Sequence, residues 1–289
     1  MVTTTIWITG SEGRLGSAIT DLLKKDKKYR IVTTGKDVDI SDAAAVEKAI
    51  DNYRPTVVIN AASISDAAYC EDHPLEAYKV NALGARNLAV ASRRKNAVII
   101  HLSTDGVFSG EHNRPKNEFD VPTPKSVYGK SMYAGENLVR ELNPKHLIIR
   151  TSWLYGFKKK HEDEPDNYYD RVVALGKRGE KFTAPIDVIG TPTSARELAK
   201  FVSVILNTEE YGIYHASCEG ACTRYGYARM ILEVNGLDTT LVTESFQEAN
   251  GLMVSTQLEN MMMKLTGLYQ MPPWADEIRS YAASMKDMK

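Results

Sequence analysis

A chain of 289 residues with 36 basic and 37 acidic side chains carries a formal net charge of −1. That balance excludes bulk electrostatic attraction to nucleic acid or to an anionic membrane surface, so any anion must be caught locally. The length is sufficient to bury a large core without a disulfide or metal staple.

The first strand-like run, Ile6-Trp7-Ile8, begins almost at the N-terminus, with no basic n-region and apolar h-region before it. No apolar stretch is long enough to span a bilayer, and a cytoplasmic protein is expected. The run leads directly into Thr9-Gly10-Ser11-Glu12-Gly13-Arg14-Leu15-Gly16 and then into an amphipathic helix carrying Leu15, Ala18, Ile19, Leu22 and Leu23. Strand, glycine-rich turn and helix in that order are the context of a dinucleotide-binding turn. Gly10 and Gly13 allow a tight turn and close approach to a pyrophosphate, and Gly16 allows close packing of helix on strand. The helix start at Arg14 and Leu15 offers free N–H groups.

A second strand, Tyr29-Arg30-Ile31-Val32, precedes Gly35-Lys36-Asp37. A carboxylate here meets a ribose 2′-hydroxyl and a cation meets a 2′-phosphate. Both signs are present, and Lys36 tilts the reading toward NADP over NAD. A helix around Ala44 to Ile50 and the turn Pro55-Thr56 lead to Val57-Val58-Ile59, with further strands at Val98-Ile99-Ile100 and Leu147-Ile148-Ile149. Strands apolar at nearly every position are buried on both faces. The expected fold is therefore α/β, a doubly wound parallel sheet (Rossmann-like), with a smaller C-terminal substrate lobe.

Beyond Trp153 the regular alternation stops, and the charged stretch from Lys158 to Asp166 reads as an exposed loop. A helix over Ala195 to Leu206 and a strand at Ile213-Tyr214-His215-Ala216 follow. Residues 1–155 and 187–212 are expected to form the dinucleotide-binding domain, and 156–186 and 213–289 the smaller lobe. Cys70, Cys218 and Cys222 are an odd count; the spacing of the last two invites a metal, but no second Cys/His pair completes a site, and reduced thiols are expected.

Three further segments carry chemistry: Leu102-Ser103-Thr104-Asp105-Gly106-Val107-Phe108, Val127-Tyr128-Gly129-Lys130-Ser131-Met132, and Arg150-Thr151-Ser152-Trp153. With Asn60-Ala61-Ala62, Asn81, Gly190-Thr191-Pro192-Thr193, Ile213-Tyr214-His215 and Pro272-Pro273-Trp274, they make a series of landmarks along nearly the whole chain. The combination resembles the dTDP-4-dehydrorhamnose reductase family of extended short-chain dehydrogenases/reductases.

The resemblance implies reduction of the 4-keto group of a nucleotide-linked 6-deoxyhexose with NAD(P)H. By it, Thr104 hydrogen-bonds the substrate carbonyl, Tyr128 donates the proton, Asp105 and Trp153 border the substrate, and Asn60, Ala61, Ala62 and Asn81 belong to the cofactor site. The family's ribose-binding Lys, four residues after the Tyr, is Met132 here. Positions i and i+4 share a helix face, so a Lys there would set its ammonium beside the phenol, whereas Lys130 faces elsewhere. Methionine cannot lower the phenol's pKa from its ordinary ~10. Other departures are Gly106 where the family commonly has Tyr, Ala67-Ala68 in place of a Val-Asp pair, and Leu252-Met253 in place of an Arg-Pro.

These residues leave three readings open. The chain is a reductase of a 4-ketohexose nucleotide, impaired by Met132. Or it is a nucleotide-binding regulatory subunit similar to the methionine adenosyltransferase β subunit, acting through a partner enzyme. Or it is a reductase or epimerase of another sugar nucleotide. A homodimer is equally compatible with the sequence.

Overall fold

The computed structural model describes residues 4–111, 114–156, 167–247 and 254–287. The charged stretch 158–166 and the positions Leu252 and Met253 lie outside them.

Five strands and their crossover helices come first in the chain: β1 (Thr4–Thr9), α1 (Arg14–Leu23), β2 (Tyr29–Thr34), α2 (Ala43–Tyr53), β3 (Val57–Asn60), α3 (Ala67–Asp72), α4 (Pro74–Tyr78), α5 (Ala85–Arg94), β4 (Val98–Thr104), α6 (Val127–Leu142) and β5 (His146–Thr151). A π-helical turn, Lys79–Gly84, joins α4 to α5. The rest comprises β6 (Leu154–Tyr155), α7 (Tyr168–Arg178), β7 (Phe182–Pro185), β8 (Val188–Gly190), β9 (Thr193–Ser194), α8 (Ala195–Ile205), β10 (Gly212–His215), β11 (Cys222–Thr223), α9 (Arg224–Val234), β12 (Val242–Ser245), β13 (Val254–Ser255), α10 (Met261–Thr266) and α11 (Trp274–Asp287).

Six parallel strands form the main sheet in the order β10-β5-β4-β3-β1-β2. Its core follows the two-residue period of a strand. Ile6 and Ile8 of β1 pack with Leu15, Ile19, Leu198 and Phe201 on the face covered by α1 and α8. Trp7 between them packs with Val46, Ile50 and Leu88 on the face covered by α2 and α5. Trp7 also donates its indole N–H to Thr34 Oγ1 at 3.0 Å, which satisfies the one polar group it buries.

Since β1 lies between β2 and β3, successive crossovers leave it in opposite directions. The resulting switch point opens a crevice at the C-terminal strand ends. Thr9 is level with Asn60, and Thr104 with Thr151, so the glycine turn and the Thr104 segment emerge along one edge of the sheet.

The smaller lobe has an aromatic core in which Tyr155, Tyr169, Tyr227 and Tyr281 pack with Val172, Ile231 and Ile278. Two segments depart from the division expected from the sequence. Residues 212–215, expected from position 213 onward in the lobe, form β10 and pair with β5 in the main sheet. Residues 188–190, expected in the dinucleotide domain, pair with β11 and β13 in a separate three-stranded sheet. Partner choice between distant strands leaves no periodic trace in either strand's own sequence, so the boundaries fall elsewhere. Among the described residues, no helix is long and apolar enough to cross a membrane.

Candidate active site

Gly10 has φ +62, the left-handed region that glycine enters without penalty. A Cβ on it would lie 2.6 Å from the backbone of Ala61 and Ala62, and one on Gly16 would lie 2.3 Å from the Gly10 carbonyl oxygen. The turn is thus pressed against the loop after β3 and against its own helix. The N-cap of α1 is Gly13, which has no side chain to accept from the helix's first-turn amides. An uncapped helix start with the positive end of its dipole at the switch point is a donor set suited to a pyrophosphate. Leu15 packs into the core, and Arg14 is buried with one guanidinium N–H donated to the Gly156 carbonyl at 2.7 Å.

Asn60 acts through its neighbours. Its Oδ1 accepts from Thr9 Oγ1 at 2.9 Å and from the Ala62 amide at 3.2 Å, and its Nδ2 lies 3.1 Å from His101 Nδ1. This network fixes the loop that Gly10 touches. Burial pushes the His101 imidazole down from 6.5 to about 4. The unfolded chain therefore takes up a proton before the folded one does, and stability present above pH 6.5 is lost as pH falls toward about 4. By chemical denaturation, lowering the pH from 7.5 to 5 should cost about 2 kcal/mol at this residue, because each tenfold difference in proton affinity between the two states is worth ~1.4 kcal/mol. A His101→Gln variant should lose that part of the pH dependence.

Asn81 sits in the π-helical turn, a local irregularity often found at functional sites. Its amide spans two elements, accepting from the Ile64 amide at 2.8 Å and donating to the Ile64 carbonyl and to Ser131 Oγ, both at 3.0 Å. It ties the loop after β3 to α6.

Helix α6 begins where Ser126 caps the Gly129 amide, and it lies so close to the turn after β4 that a Cβ on Gly129 would be 2.1 Å from the Gly106 carbonyl oxygen. This contact brings Tyr128 to Thr104. The Thr104 hydroxyl accepts from the Gly106 amide at 3.0 Å, capping the turn Asp105–Val107, and donates to Asp105 Oδ1 at 3.1 Å. Thr104 therefore fills both the capping role common at a strand end and a position beside the phenol. Burial pushes Tyr128 up to about 12; a hydrogen bond with Thr104 opposes the shift, and the Asp105 carboxylate adds to it.

Met132 is 2% exposed and packs with Val107, Phe108 and Leu258. Lys130 is exposed. Gly106 leaves room at its Cβ position, with Tyr128 Cε1 and Thr104 Oγ1 each at 3.4 Å.

Asp105 accepts from Ser152 Oγ at 2.8 Å and Thr256 Oγ1 at 2.6 Å. Burial raises its carboxyl above the usual range, and these hydroxyls counter the rise. Trp153 adopts φ +40, uncommon for a bulky side chain and worth about 1–3 kcal/mol of strain. Its ring is so close to Gly190 that a Cβ there would overlap it. On Trp153 the Arg224 guanidinium stacks, 3.5 Å from the ring centroid.

Two residues at the site escape a reading by motif. Arg224 is the first residue of α9, where the positive end of the helix dipole disfavours a cation, and that local conflict is the signal that could have marked it. The other is Glu12. Its carboxyl carbon lies 2.5 Å from where a Cβ on Gly35 would be, and Asp37 turns back to accept from the Gly35 amide at 2.6 Å. Lys36 is exposed beside them. Two carboxylates and one ammonium thus border the end of β2. Cys70, Cys218 and Cys222 are free thiols.

A doubly wound sheet with a glycine turn at its switch point and a Thr-Tyr pair beyond the neighbouring strand defines an NAD(P)-binding protein of the extended short-chain dehydrogenase/reductase class. The profile described as the RmlD substrate binding domain matches residues 4–286, and the chain belongs to that family. It is 34% identical over 245 residues to the spore coat polysaccharide biosynthesis protein SpsK of Bacillus subtilis, covering 85% of this chain and 84% of that one. To a dTDP-4-dehydrorhamnose reductase of Mycobacterium tuberculosis it is 31% identical over 290 residues, covering 96% and 92%. The crystal structure of such a reductase from Clostridium acetobutylicum superposes with a TM-score of 0.90 at 35% identity, covering 98% of this chain and all of that one. The Bacillus anthracis reductase in complex with NADP gives 0.90 at 32% identity with the same coverage.

Proposed function

We propose that the chain binds NAD(P)H along the glycine turn and takes a nucleotide-linked 4-keto-6-deoxyhexose as substrate, with catalysis held back by Met132. The observation that carries this reading is the juxtaposition of Thr104 and Tyr128 at the sheet edge that also presents the uncapped start of α1. The relative holding NADP supports NADP(H) as the dinucleotide.

When bound, the dihydronicotinamide supplies a hydride for the carbonyl carbon. Thr104 holds the carbonyl oxygen by a hydrogen bond. Tyr128 delivers a proton to that oxygen, so the ketone becomes a secondary alcohol and the phenol becomes a phenolate. A phenol that burial holds at about 12 is a poor donor at neutral pH, and Met132 offers its phenolate no charge to meet. That observation also favours a second reading, a nucleotide-binding subunit that acts through a partner enzyme. Calorimetric titration of NADPH and NADH, followed by turnover of dTDP-4-keto-6-deoxyhexose, separates them. Binding with measurable turnover supports the reductase, binding with none supports the subunit, and absence of binding overturns both.

Gly10→Ala should abolish or weaken NAD(P)H binding at least tenfold in the same titration. The new Cβ collides with the Ala61–Ala62 backbone and adds roughly 1–2 kcal/mol of left-handed strain, so the turn must move. Undiminished affinity would place the dinucleotide elsewhere.

Glu12→Gln is expected to raise affinity for NADPH by roughly tenfold and for NADH far less. A carboxylate near a doubly charged 2′-phosphate repels it by about 1 kcal/mol per charge pair in a solvated site, whereas it accepts from a 2′-hydroxyl. Equal changes for the two dinucleotides would remove Glu12 from the 2′-site.

A further inference from the structure

Arg224 carries its charge without an ion-pair partner among the described residues. Its guanidinium carbon lies 3.5 Å from the Trp153 ring centroid and 4.8 Å from that of Tyr168. Burial in this aromatic cleft pulls its pKa below the usual arginine range. No carboxylate among the described residues forms an ion pair with it. The nearby acid, Asp105, is engaged with the hydroxyls of Ser152, Thr256 and Thr104. The residue also opens α9, where the helix dipole concentrates positive charge even with Thr223 capping the Gly226 amide. A partly buried cation with no ion-pair partner among the described residues, set at the positive end of a helix, is costly on both counts, and an anionic ligand relieves both.

The stacking suggests how that anion is held. A guanidinium held 3.5 Å over an indole centroid has the ring on one side only, which leaves N–H donors of its fork for a phosphate. Position narrows the choice of anion. Trp153 follows β5, whose end is level with Thr104, and Asp105 next to Thr104 feels the charge of Arg224. A hexose whose C4 oxygen sits between Thr104 and Tyr128 projects its C1 substituent from the opposite end of the ring, away from that pair. The C1 substituent of a sugar nucleotide is a diphosphate. Residues 248–253, where the family resemblance leads one to look for an Arg, contain no basic side chain.

We infer that Arg224 binds the diphosphate of the sugar nucleotide, with Trp153 and Tyr168 holding its fork in place. The inference rests on the substrate class proposed above. It assigns the anion contact to the start of α9.

The test uses the purified full chain and four probes: dTDP, UDP, thymidine, and NADPH as a control for folding and for the separate cofactor site. Arg224→Met should weaken the nucleoside diphosphate that binds wild type by about 30-fold or more. Arg224→Lys, which keeps charge but loses the planar fork, should weaken it by roughly tenfold. NADPH affinity should stay within threefold in both variants, and thymidine binding should be indifferent to either change. Diphosphate affinity retained in Arg224→Met, with NADPH binding intact, overturns the assignment alone. A wild-type chain that binds NADPH but neither diphosphate overturns the assignment together with the sugar-nucleotide reading. Should Arg224→Met fail to bind NADPH, Arg224→Lys decides: an unchanged diphosphate affinity there counts against the fork.

Discussion

Met132→Lys is expected to raise NAD(P)H-dependent reduction of a 4-keto sugar nucleotide by about 10²-fold, the lower end of what a well-placed general acid contributes. The position is one helical turn beyond Tyr128 on the same face of α6. An ammonium there favours the phenolate and brings Tyr128 down from about 12, making it a stronger acid when the carbonyl oxygen takes its proton. The sign gives a second readout. With the phenol at about 12, the rate of the wild-type chain should stay level up to the alkaline limit of its stability. In the Lys variant a falling alkaline limb should enter the accessible range, because the protonated acid is now lost at lower pH. The gain should vanish in the Met132→Lys, Tyr128→Phe double variant. It should also come with reduced stability, since the Met is 2% exposed among Val107, Phe108 and Leu258 and a Lys must extend past them to reach solvent or ligand. A wild-type chain that already turns over at about 1–10³ s⁻¹, and that the substitution leaves unchanged, would sink this account of the site.

The parts of the molecule that can be read from sequence are those whose cause is local. Ile6-Trp7-Ile8 declares a strand buried on both faces because each residue has its own apolar neighbours, and Gly10, Gly13 and Gly16 declare a turn because a Cβ at those spacings obstructs it. Thr104, Tyr128 and Met132 are legible through ordered family landmarks, and α6 brings them together through one close contact at Gly129. What the sequence withholds depends on residues distant in the chain. Glu12 matters through Gly35, and Arg224 through Trp153 and Tyr168. Glu12 fills an unspecified position of the glycine turn and Arg224 belongs to none of the landmarks, so only the fold shows what each one faces. The strand Gly212–His215 is visible as a strand, yet its place at the sheet edge is set by β5.

The same dependence on distant partners governs the largest stability effect expected. Arg150 of β5 forms a two-point pair with Glu136 of α6, Nε to Oε1 at 2.9 Å and Nη2 to Oε2 at 2.6 Å, both side chains 2% exposed. Ser103 of β4 donates to Glu136 Oε1 at 2.5 Å, and His215 of β10 places Nε2 3.3 Å from Arg150 Nη1. Burial and the Arg150 charge pull His215 down to about 3, so it stays neutral and presents a lone pair to the guanidinium. Glu136→Leu leaves that guanidinium buried without its anion and should destabilise the chain by about 3–5 kcal/mol in denaturant unfolding. Arg150→Met should cost a similar amount for the converse reason. The double variant removes both charges and should recover much of the loss, because two apolar side chains need no desolvation of an ion. If the two single losses simply add, the pair is not the source of the effect. The pair also joins α6 to the strand beside the one that carries Thr104. A stable double variant is therefore expected to retain NAD(P)H affinity while losing the close register of Tyr128 with Thr104, readable as slower reduction of the 4-keto sugar nucleotide.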